Sequence, residues 1–241
     1  MQVFFARHEE KYLLSAEQAH GLIRDLALVR ENPGEYLVQS IYFDTDNWDV
    51  IRSSIEKPLY KEKLRLRCYD VPGSDPQIYL ELKKKFNGVV YKQRELIPFL
   101  NPDHFILGTF LEQEDSHTSR ELAYYLHKTG VQKKIFLSYT RAAFTFPGQG
   151  SVRITFDRDV YFRLHNLAFN GSAYGSAYGC PILSDDMRVM ELKTAGGIPL
   201  GLARYLSEKQ IFPVSFSKYG RCYSNYIFNG EINNPQEQIS A

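Results

Sequence analysis

The sequence predicts an α+β fold, an antiparallel eight-stranded β-barrel with helices packed outside it and at its ends. Segments that alternate apolar and polar residues dominate the 241-residue chain. Aromatic residues make up 14% of it, with 17 Tyr and 16 Phe against a single Trp. Alternation with a period of two is typical of strands, and aromatic side chains are enriched in them. Short turns between several segments favour antiparallel pairing over a parallel α/β fold.

The alternating segments place the strands in order along the chain. They lie at residues 3–14, 36–44, 60–70, 77–84, 89–98, 134–146, 151–164 and 187–194. Ser15 is predicted to cap a helix that continues to residue 28, because a serine hydroxyl can accept a hydrogen bond from the first helical turn. Further helices are predicted at residues 46–54, 116–128, 200–209 and 218–228. We expect a single domain over residues 1–228 and a disordered tail over residues 229–241.

Charge and cysteine content indicate which binding partners and which cellular compartment to expect. The net charge is only +1, from 29 Lys and Arg against 28 Asp and Glu, so it predicts neither a nucleic-acid nor a membrane partner. The three cysteines, Cys68, Cys180 and Cys222, are widely spaced without a CxxC pair, which favours a reducing cytoplasm. No segment approaches the ~20 apolar residues of a membrane span. We therefore expect a cytoplasmic protein without direct membrane insertion, and the sequence leaves its oligomeric state open.

Charged residues follow the strand period in seven of the predicted strands, which gives each strand a charged face and an apolar face. In the strand at residues 60–70, Lys61, Lys63, Arg65 and Arg67 share one side. The phased positions, in which basic residues clearly outnumber acidic ones, are Arg7, Glu9, Lys11, Arg65, Arg67, Glu81, Lys83, Lys92, Arg94, Arg141, Arg153, Asp157, Glu191 and Lys193.

These charged faces have two interpretations. The solvent side of an antiparallel sheet is normally polar, which accounts for any single strand. Taken together, however, the strands favour Arg and Lys, and the helices with apolar stripes need the apolar outside of the barrel to pack against. We therefore expect the charges to face inward, where crowded cations are stable only around water, counter-ions or an anionic ligand. Arginine forks bind phosphate oxygens and carboxylates hold hard divalent cations, so a phosphate polyanion with a metal is predicted.

Nine segments carry a family resemblance. In order they are RHEEKYLL, IYFDTDNWDVI, KEKLRLRCY, YLELKKK, YKQRE, SYTRAAF, RITFDRD, VMELKT and FSKYGRCY. Together they resemble the polyphosphate polymerase domain of the vacuolar transporter chaperone (VTC) family, a branch of the CYTH or triphosphate tunnel metalloenzyme superfamily. The resemblance covers nearly the whole chain. It implies a triphosphate tunnel in which the terminal phosphate of ATP is transferred to a growing polyphosphate chain.

The resemblance also implies roles for individual residues. Those expected to bind phosphates are Lys11, Arg65, Arg67, Lys83, Lys92, Arg141, Arg153, Lys218 and Arg221, and the catalytic ones among them are Lys11, Arg65, Arg67, Lys83, Arg141 and Arg153. Glu191 is expected to hold Mn²⁺ or Mg²⁺. Strand phase and analogy assign Glu9 and Glu81 as supporting metal ligands or lysine-orienting groups.

Two positions depart from patterns in the superfamily. Its hydrolytic branch typically opens with ExExK, whereas Arg7 occupies the first of these positions here. A cation in place of a carboxylate resembles the polymerase branch. Arg221 stands where many relatives carry Lys, which keeps the charge and changes its geometry.

Two alternative functions remain open. One is a metal-dependent hydrolase of tripolyphosphate or nucleoside triphosphates, which would use the same tunnel and pass the phosphate to water. The other is a non-catalytic polyphosphate-binding module. The histidines lack HExxH spacing, and neither a GxSxG elbow nor a P-loop is present, so zinc-protease, acyl-transfer and P-loop chemistry are not expected.

Overall fold

The computed structural model describes residues 8–32, 34–70, 77–87, 89–97, 117–169 and 179–229. The described strands are β1 (His8–Ser15), β2 (Val29–Arg30), β3 (Tyr36–Asp44), β4 (Tyr60–Asp70), β5 (Gln77–Phe86), β6 (Val89–Ile97), β7 (Gln132–Phe146), β8 (Gln149–Arg163), β9 (Cys180–Pro181) and β10 (Met187–Thr194). The helices are α1 (Ala16–Asp25), α2 (Asp49–Ile55), α3 (His117–Thr129), α4 (Leu200–Glu208) and α5 (Lys218–Cys222), which continues as a π-helical turn over Tyr223–Phe228.

The strands form one antiparallel sheet in the order β1-β10-β8-β7-β3-β4-β5-β6, with the short strands β2 and β9 beside β7 and β8. All eight predicted strands are present, which confirms the predicted architecture. Arg7, the Ser/Ala/Tyr/Gly-rich loop at 171–178 and residues 230–241 of the predicted tail lie outside the described residues. None of the described helices combines the length and the apolar character that a membrane span needs.

Local sequence signals explain where α1 begins. The Ser15 hydroxyl accepts a hydrogen bond from the Gln18 amide at 3.1 Å, and the Gln18 side chain accepts one from the Ser15 amide at 2.9 Å. This reciprocal capping box satisfies two amides at the helix start, as predicted for Ser15. The helix ends at Asp25, before the predicted residue 28, because Ala27 takes a positive φ of 47° that a continuing helix cannot accommodate.

The convex face of the sheet carries two apolar clusters. In one, Leu22 of α1 and Leu202 of α4 pack with Ile154 and Leu192 of the sheet. In the other, Leu122 of α3 packs on the outer side of β3, β4 and β5. The expected helical cover of the outside is therefore confirmed for α1, α3 and α4.

The sheet curls strongly toward the face that carries the charged residues. Lys83 on β5 lies 3.7 Å from Glu9 on β1, although five strands separate β1 from β5 in the sheet order. Part of this concave face is apolar, and there α2 and α5 pack against β3, β7 and β8 through Ile51 and Tyr219. The charged remainder encloses a space that we call the lumen.

Candidate functional site

The lumen brings together most of the residues that the sequence singled out. Its charged side chains are Glu9 and Lys11 on β1, Lys61, Lys63, Arg65 and Arg67 on β4, Glu81 and Lys83 on β5, Lys92 on β6, Arg141 on β7, Asp157 on β8, Glu191 and Lys193 on β10, and Lys218 on α5. Strand phase places these residues on one face because directly opposed residues of antiparallel strands point to the same side.

Glu81 is the centre of the first ion cluster. Its side chain is 1% exposed, and one oxygen accepts hydrogen bonds from Nε and Nη2 of Arg65 at 2.9 and 2.7 Å. The other oxygen lies 2.5 Å from the Lys92 ammonium. Burial alone would raise the pKa of Glu81, but Arg65 and other nearby cations outweigh it and lower the pKa to about 2. Glu81 is therefore a fixed anion that orients two phosphate-binding candidates.

Asp157 organises a second cluster on the opposite wall. The carboxylate is fully buried and accepts hydrogen bonds from Nε and Nη2 of Arg141 at 2.6 and 2.8 Å. The Lys218 ammonium donates to it from α5 at 2.5 Å. Burial would raise the pKa of Asp157, but the charges of Arg141 and Lys218 outweigh it and lower the pKa. Two cations on one carboxylate leave the cluster with a net positive charge.

Glu191 lies beside this cluster on β10. It pairs with Lys193 at 2.5 Å, and one of its oxygens is 4.0 Å from Nη2 of Arg141. Although burial acts to raise the pKa of Glu191, the charges of Lys193 and Arg141 hold it well below its usual range. Directly opposite, on β8, lies Thr155, whose side chain is 2% exposed. The Thr155 hydroxyl has no hydrogen-bond partner among the described residues.

The donor atoms around Glu191 allow a test of the predicted metal. The described residues contain no group of three or more His, Cys, Asp or Glu side chains that could hold a metal ion. Glu9 is diagonal to Glu191 across the β1–β10 pairing, whereas Glu81 has Arg65 at one oxygen and Lys92 at the other. Glu191, Glu9 and the unpaired Thr155 hydroxyl fit a hard cation such as Mg²⁺ that takes its remaining oxygen ligands from substrate phosphates.

Arg67 differs from the other arginines of the lumen. It is 8% exposed and donates only to hydroxyls, those of Ser40 at 3.2 Å, Tyr139 at 3.0 Å and Tyr69 at 3.5 Å. Within the described part of the chain, no carboxylate lies within 4.0 Å of it. A buried charge normally forms an ion pair, whereas three hydroxyls position this guanidinium without an ion pair among the described residues.

Lys63 shows the same lack of a partner. Its ammonium lies over the Tyr219 ring, 5.8 Å from the centroid, and forms no ion pair among the residues that the structure describes. Burial lowers the pKa of Lys63 to about 8, and the neighbouring cations Lys61 and Lys11 act in the same direction. An anion in the lumen would relieve both effects.

The sequence that forms this site matches a known family. The family model described as the VTC domain matches residues 6–227. The chain belongs to the VTC domain family. Vacuolar transporter chaperone complex subunit 2 of Saccharomyces cerevisiae is 26% identical over 152 residues, which cover 52% of this chain and 18% of that protein. The alignment thus spans less than a fifth of that relative.

Solved structures place the VTC domain among triphosphate tunnel folds. A putative adenylyl cyclase from Hippeastrum, described as having a dominant triphosphatase activity, aligns with a TM-score of 0.52 at 17% identity, over 95% of this chain and 98% of that one. A putative adenylate cyclase from Bacillus halodurans aligns with a TM-score of 0.50 at 15% identity, over 87% of this chain and 92% of that one. These likenesses confirm the predicted tunnel fold.

Two predicted phosphate ligands of the VTC domain lie apart from the lumen centre. Arg153 is 40% exposed near one end of the concave face and pairs with Glu31 at 2.8 Å. Arg221 is exposed, and its guanidinium lies 5.5 Å from the centroid of the Phe216 ring. Of the two basic residues on α5, the structure brings only Lys218 into contact with the other candidates.

Several lumen residues of this VTC domain were not among the predicted ligands. Lys61 and Lys63 share the charged face of β4, a signal visible in the sequence. Tyr42 and Tyr139 could not be recognised in this way, because tyrosines in strands are usually packing residues. The Tyr42 hydroxyl accepts a hydrogen bond from Nη1 of Arg65 at 2.9 Å. Burial acts to raise its pKa, but the charges of Arg65 and other cations outweigh it and lower the pKa to about 7.

The segment before α5 closes one side of the lumen. The Lys11 ammonium donates to the Phe216 carbonyl at 3.1 Å, and the Val214 amide donates to the Lys11 carbonyl at 2.7 Å. From β4, Lys61 donates to the Ser54 carbonyl at the end of α2 at 3.3 Å. Lysines from two strands thus hold α2 and the C-terminal segment against the sheet.

Proposed function

We propose that this VTC domain is a polyphosphate polymerase that transfers the terminal phosphate of ATP to a growing polyphosphate chain inside the lumen. The observation that carries the proposal is that Arg67 and Lys63 form no ion pair among the described residues. Both are largely withdrawn from water and face a space lined by further cations. A chain of linked phosphates is the ligand that this charge distribution fits, because each phosphate supplies negative oxygens along its length.

The proposed phosphate contacts divide by their environment. Arg67 and Lys63 bind the anion directly, since neither has a competing carboxylate in the described chain. Arg65 donates hydrogen bonds from one edge of its guanidinium to Glu81, and Arg141 does the same to Asp157. These bonds fix the orientation of each guanidinium. The remaining proposed contacts are Lys11, Lys83, Lys92, Arg153, Lys218 and Arg221, with Arg153 and Arg221 acting only on phosphates outside the lumen centre.

Phosphoryl transfer needs positioning and charge neutralisation, and no protein nucleophile. An oxygen of the acceptor chain's terminal phosphate forms a bond to the γ-phosphorus of ATP. The bond between that phosphorus and the β–γ bridging oxygen breaks, and ADP leaves with the electron pair. The acceptor is already an oxyanion, so no proton must be removed. Arg67 and Lys63 neutralise the negative charge of the phosphate oxygens during this transfer.

The proposed cation, Mn²⁺ or Mg²⁺, is held by Glu191 together with Glu9, the Thr155 hydroxyl and substrate phosphates. When bound, it supplies Lewis-acid neutralisation of the phosphate oxygens. Lys193 and Arg141 keep Glu191 ionised, so that it can act as a ligand. Glu81 has Arg65 at one oxygen and Lys92 at the other, so it orients these cations and does not need to bind metal.

One alternative is favoured by a specific comparison. The Hippeastrum protein with the same fold is described as having a dominant triphosphatase activity, and a hydrolase would need the same phosphate contacts. It would also need a group that accepts a proton from water. Tyr42, whose pKa is lowered to about 7, is the described side chain best suited to that role. The polymerase remains our proposal because the VTC domain model matches residues 6–227 and the segments that carry that resemblance imply a polymerase.

Purified protein incubated with ATP and Mn²⁺ tests the proposal. Polyphosphate is resolved on stained gels and free phosphate is assayed in parallel. We expect long chains, lost in Glu191→Gln and retained in the exposed-surface control Glu208→Gln. Free phosphate without chains would replace the polymerase with the hydrolase. Tripolyphosphate binding without either product would indicate a binding module.

The three cysteines are free in the described structure. Together with their spacing, this supports the proposal of a cytoplasmic location. The proposed partners are ATP and inorganic polyphosphate.

A further inference from the structure

The two ends of the lumen have different chemistry. Toward one end, Lys63 lies directly opposite Lys83, and Lys61 opposite Lys85. Four residues along β4 in the other direction, Arg67 lies opposite Tyr79. One end of the lumen is therefore built from lysines, and the other from arginine and tyrosine.

The arginine–tyrosine end contains an aromatic group from three neighbouring strands. The ring centroids of Tyr36 and Tyr69 are 6.5 Å apart, and those of Tyr69 and Tyr79 are 6.1 Å apart with the planes at 69°. The Arg94 guanidinium lies 4.8 Å from the Tyr79 ring centroid. Leu96 on β6 is paired directly with Tyr79, so both side chains are on the concave face.

Part of this group is open to solvent. Leu96 is 56% exposed, and Tyr69 and Tyr79 are each partly exposed. An exposed leucine beside partly exposed rings, at the end of a lumen otherwise lined by charges, has no function in holding inorganic phosphate. A linear phosphate chain offers only oxygens and has no apolar surface. The patch therefore fits a ligand that has both a phosphate chain and a flat apolar group.

We propose that Tyr69, Tyr79, Leu96 and Arg94 form a platform that stacks the base of the nucleoside triphosphate donor, with its phosphates running from Arg67 toward the lysine end. This inference rests on the proposed function and adds the orientation of its donor. Arg67 is the cross-strand neighbour of Tyr79, so the first phosphate-binding cation is adjacent to the platform. The transferred phosphate then lies deeper in the lumen, toward Lys63 and Lys83.

The platform is expected to bind the flat face of a base without hydrogen bonds to the edge of that base. The carbonyl oxygen of the Gln77 side chain already accepts a hydrogen bond from the Tyr79 hydroxyl at 2.6 Å. Stacking on aromatic and guanidinium groups is tolerant of base identity, because every base has a π-face. A purine base has a larger π-face than a pyrimidine base, so purine triphosphates should bind better than pyrimidine triphosphates. Adenine and guanine should bind with similar affinity.

Binding measurements on the wild type, Tyr79→Leu and Leu96→Ser test the platform. The ligands are ATP, CTP and inorganic tripolyphosphate, titrated calorimetrically at one salt concentration. We expect either substitution to weaken ATP binding, by about tenfold for Tyr79→Leu, and to leave tripolyphosphate binding within about twofold of the wild type. The preference for ATP over CTP should shrink in the same variants. Tyr60→Leu, on the convex face, is the matched control and should change neither ligand.

Other results would contradict either the platform or the proposed function. Equal losses for ATP and tripolyphosphate in Tyr79→Leu and in Leu96→Ser, or no loss for either ligand, would overturn the platform. So would a wild type that binds both ligands equally well. A wild type that does not bind tripolyphosphate at all would instead refute the proposed function. Retained tripolyphosphate binding in a variant also demonstrates that it is folded.

Discussion

Thr155 lies directly opposite Glu191 in the β8–β10 pairing, and its buried hydroxyl has no hydrogen-bond partner among the described residues. A buried hydroxyl without a partner costs about 1–3 kcal/mol. Replacing it with the similarly shaped Val removes this cost. We therefore expect Thr155→Val to keep or raise the free energy of unfolding, measured in urea, while it increases the Mn²⁺ concentration needed for turnover.

Thr129→Val provides the matched control for this prediction. The Thr129 hydroxyl donates to the Tyr125 carbonyl at 2.6 Å on α3, outside the lumen. Its loss should lower stability slightly and leave the metal dependence unchanged. An unchanged metal dependence in Thr155→Val would show that this hydroxyl is not a ligand.

The buried carboxylate of Asp157 supports the second prediction. In Asp157→Asn, Arg141 and Lys218 lose the fully buried anion that they share. Breaking a buried ion pair on one side costs about 3–5 kcal/mol, so we expect a loss of that size in the free energy of unfolding. Tripolyphosphate should restore more stability to the variant than to the wild type, because it supplies the missing negative charge.

Glu31→Gln is the comparison for Asp157→Asn. It breaks the partly exposed pair with Arg153, and such pairs contribute about 0–1 kcal/mol. A loss in Asp157→Asn no larger than in Glu31→Gln would contradict the assignment of Asp157 as the organising anion of the lumen.

The outcomes at individual residues show what the sequence could predict. Period-two alternation placed Arg65, Glu81 and Lys92 on one face, and in the structure Arg65 and Lys92 both contact Glu81. The pattern could not reveal that Glu81 pairs with both cations, because ion pairing depends on the register between β4, β5 and β6. That register is set by the turns and by packing on α3, which a single strand's pattern does not encode.

Helix α5 illustrates a second limit. Lys218 and Arg221 are three residues apart, a spacing that would place them near each other on a longer regular helix. This helix has five residues and passes into a π-helical turn, so the two side chains take different environments. Lys218 reaches Asp157, and Arg221 stacks on Phe216. Only the packing of Tyr219 into the apolar part of the concave face decides which one enters the lumen.

The third prediction compares these two basic residues. Lys218→Ala should weaken tripolyphosphate binding by about tenfold, because it removes a cation from the lumen and leaves Asp157 paired with Arg141. Arg221→Ala should change the affinity by less than about twofold, as expected for an exposed charge screened by solvent. Calorimetric titration of both variants measures the difference. An effect of Arg221→Ala as large as that of Lys218→Ala would show that Arg221 binds phosphates inside the lumen.

The fourth prediction concerns pH and Lys63. Its pKa is lowered to about 8 from the ordinary lysine value of 10.5, so between these values the unfolded chain binds the proton that the folded one has lost. The Lys63 contribution to stability therefore rises with pH across that window. Phosphate binding has the opposite dependence, because it favours the charged ammonium. We expect tripolyphosphate affinity to fall as pH rises through 8.

Lys63→Arg isolates this effect from the ionisation of the ligand itself. The guanidinium stays charged throughout the range, so tripolyphosphate affinity should fall less between pH 7 and 9 in the variant than in the wild type. Calorimetry at several pH values gives both slopes. Identical slopes in the wild type and Lys63→Arg would exclude Lys63 as the titrating group.

The final prediction separates binding from stability with two buried arginines. Arg67 has no carboxylate partner in the described chain, whereas Arg141 is held by two hydrogen bonds to Asp157. Arg67→Met removes the cost of burying a charge without an ion pair. This gain in stability offsets the loss of the hydrogen bonds that Arg67 donates to three hydroxyls. The free energy of unfolding should stay within about 1 kcal/mol of the wild type, while tripolyphosphate binding weakens by at least about tenfold.

Arg141→Met should lower stability, because the buried Asp157 keeps only Lys218 as a partner. Urea unfolding without ligand and tripolyphosphate titration, applied to both variants, give the two readouts. If Arg67→Met were as destabilising as Arg141→Met, the free protein would already compensate the Arg67 charge. The lumen would then need no external anion at that point, and the main argument for a phosphate-chain substrate would fail.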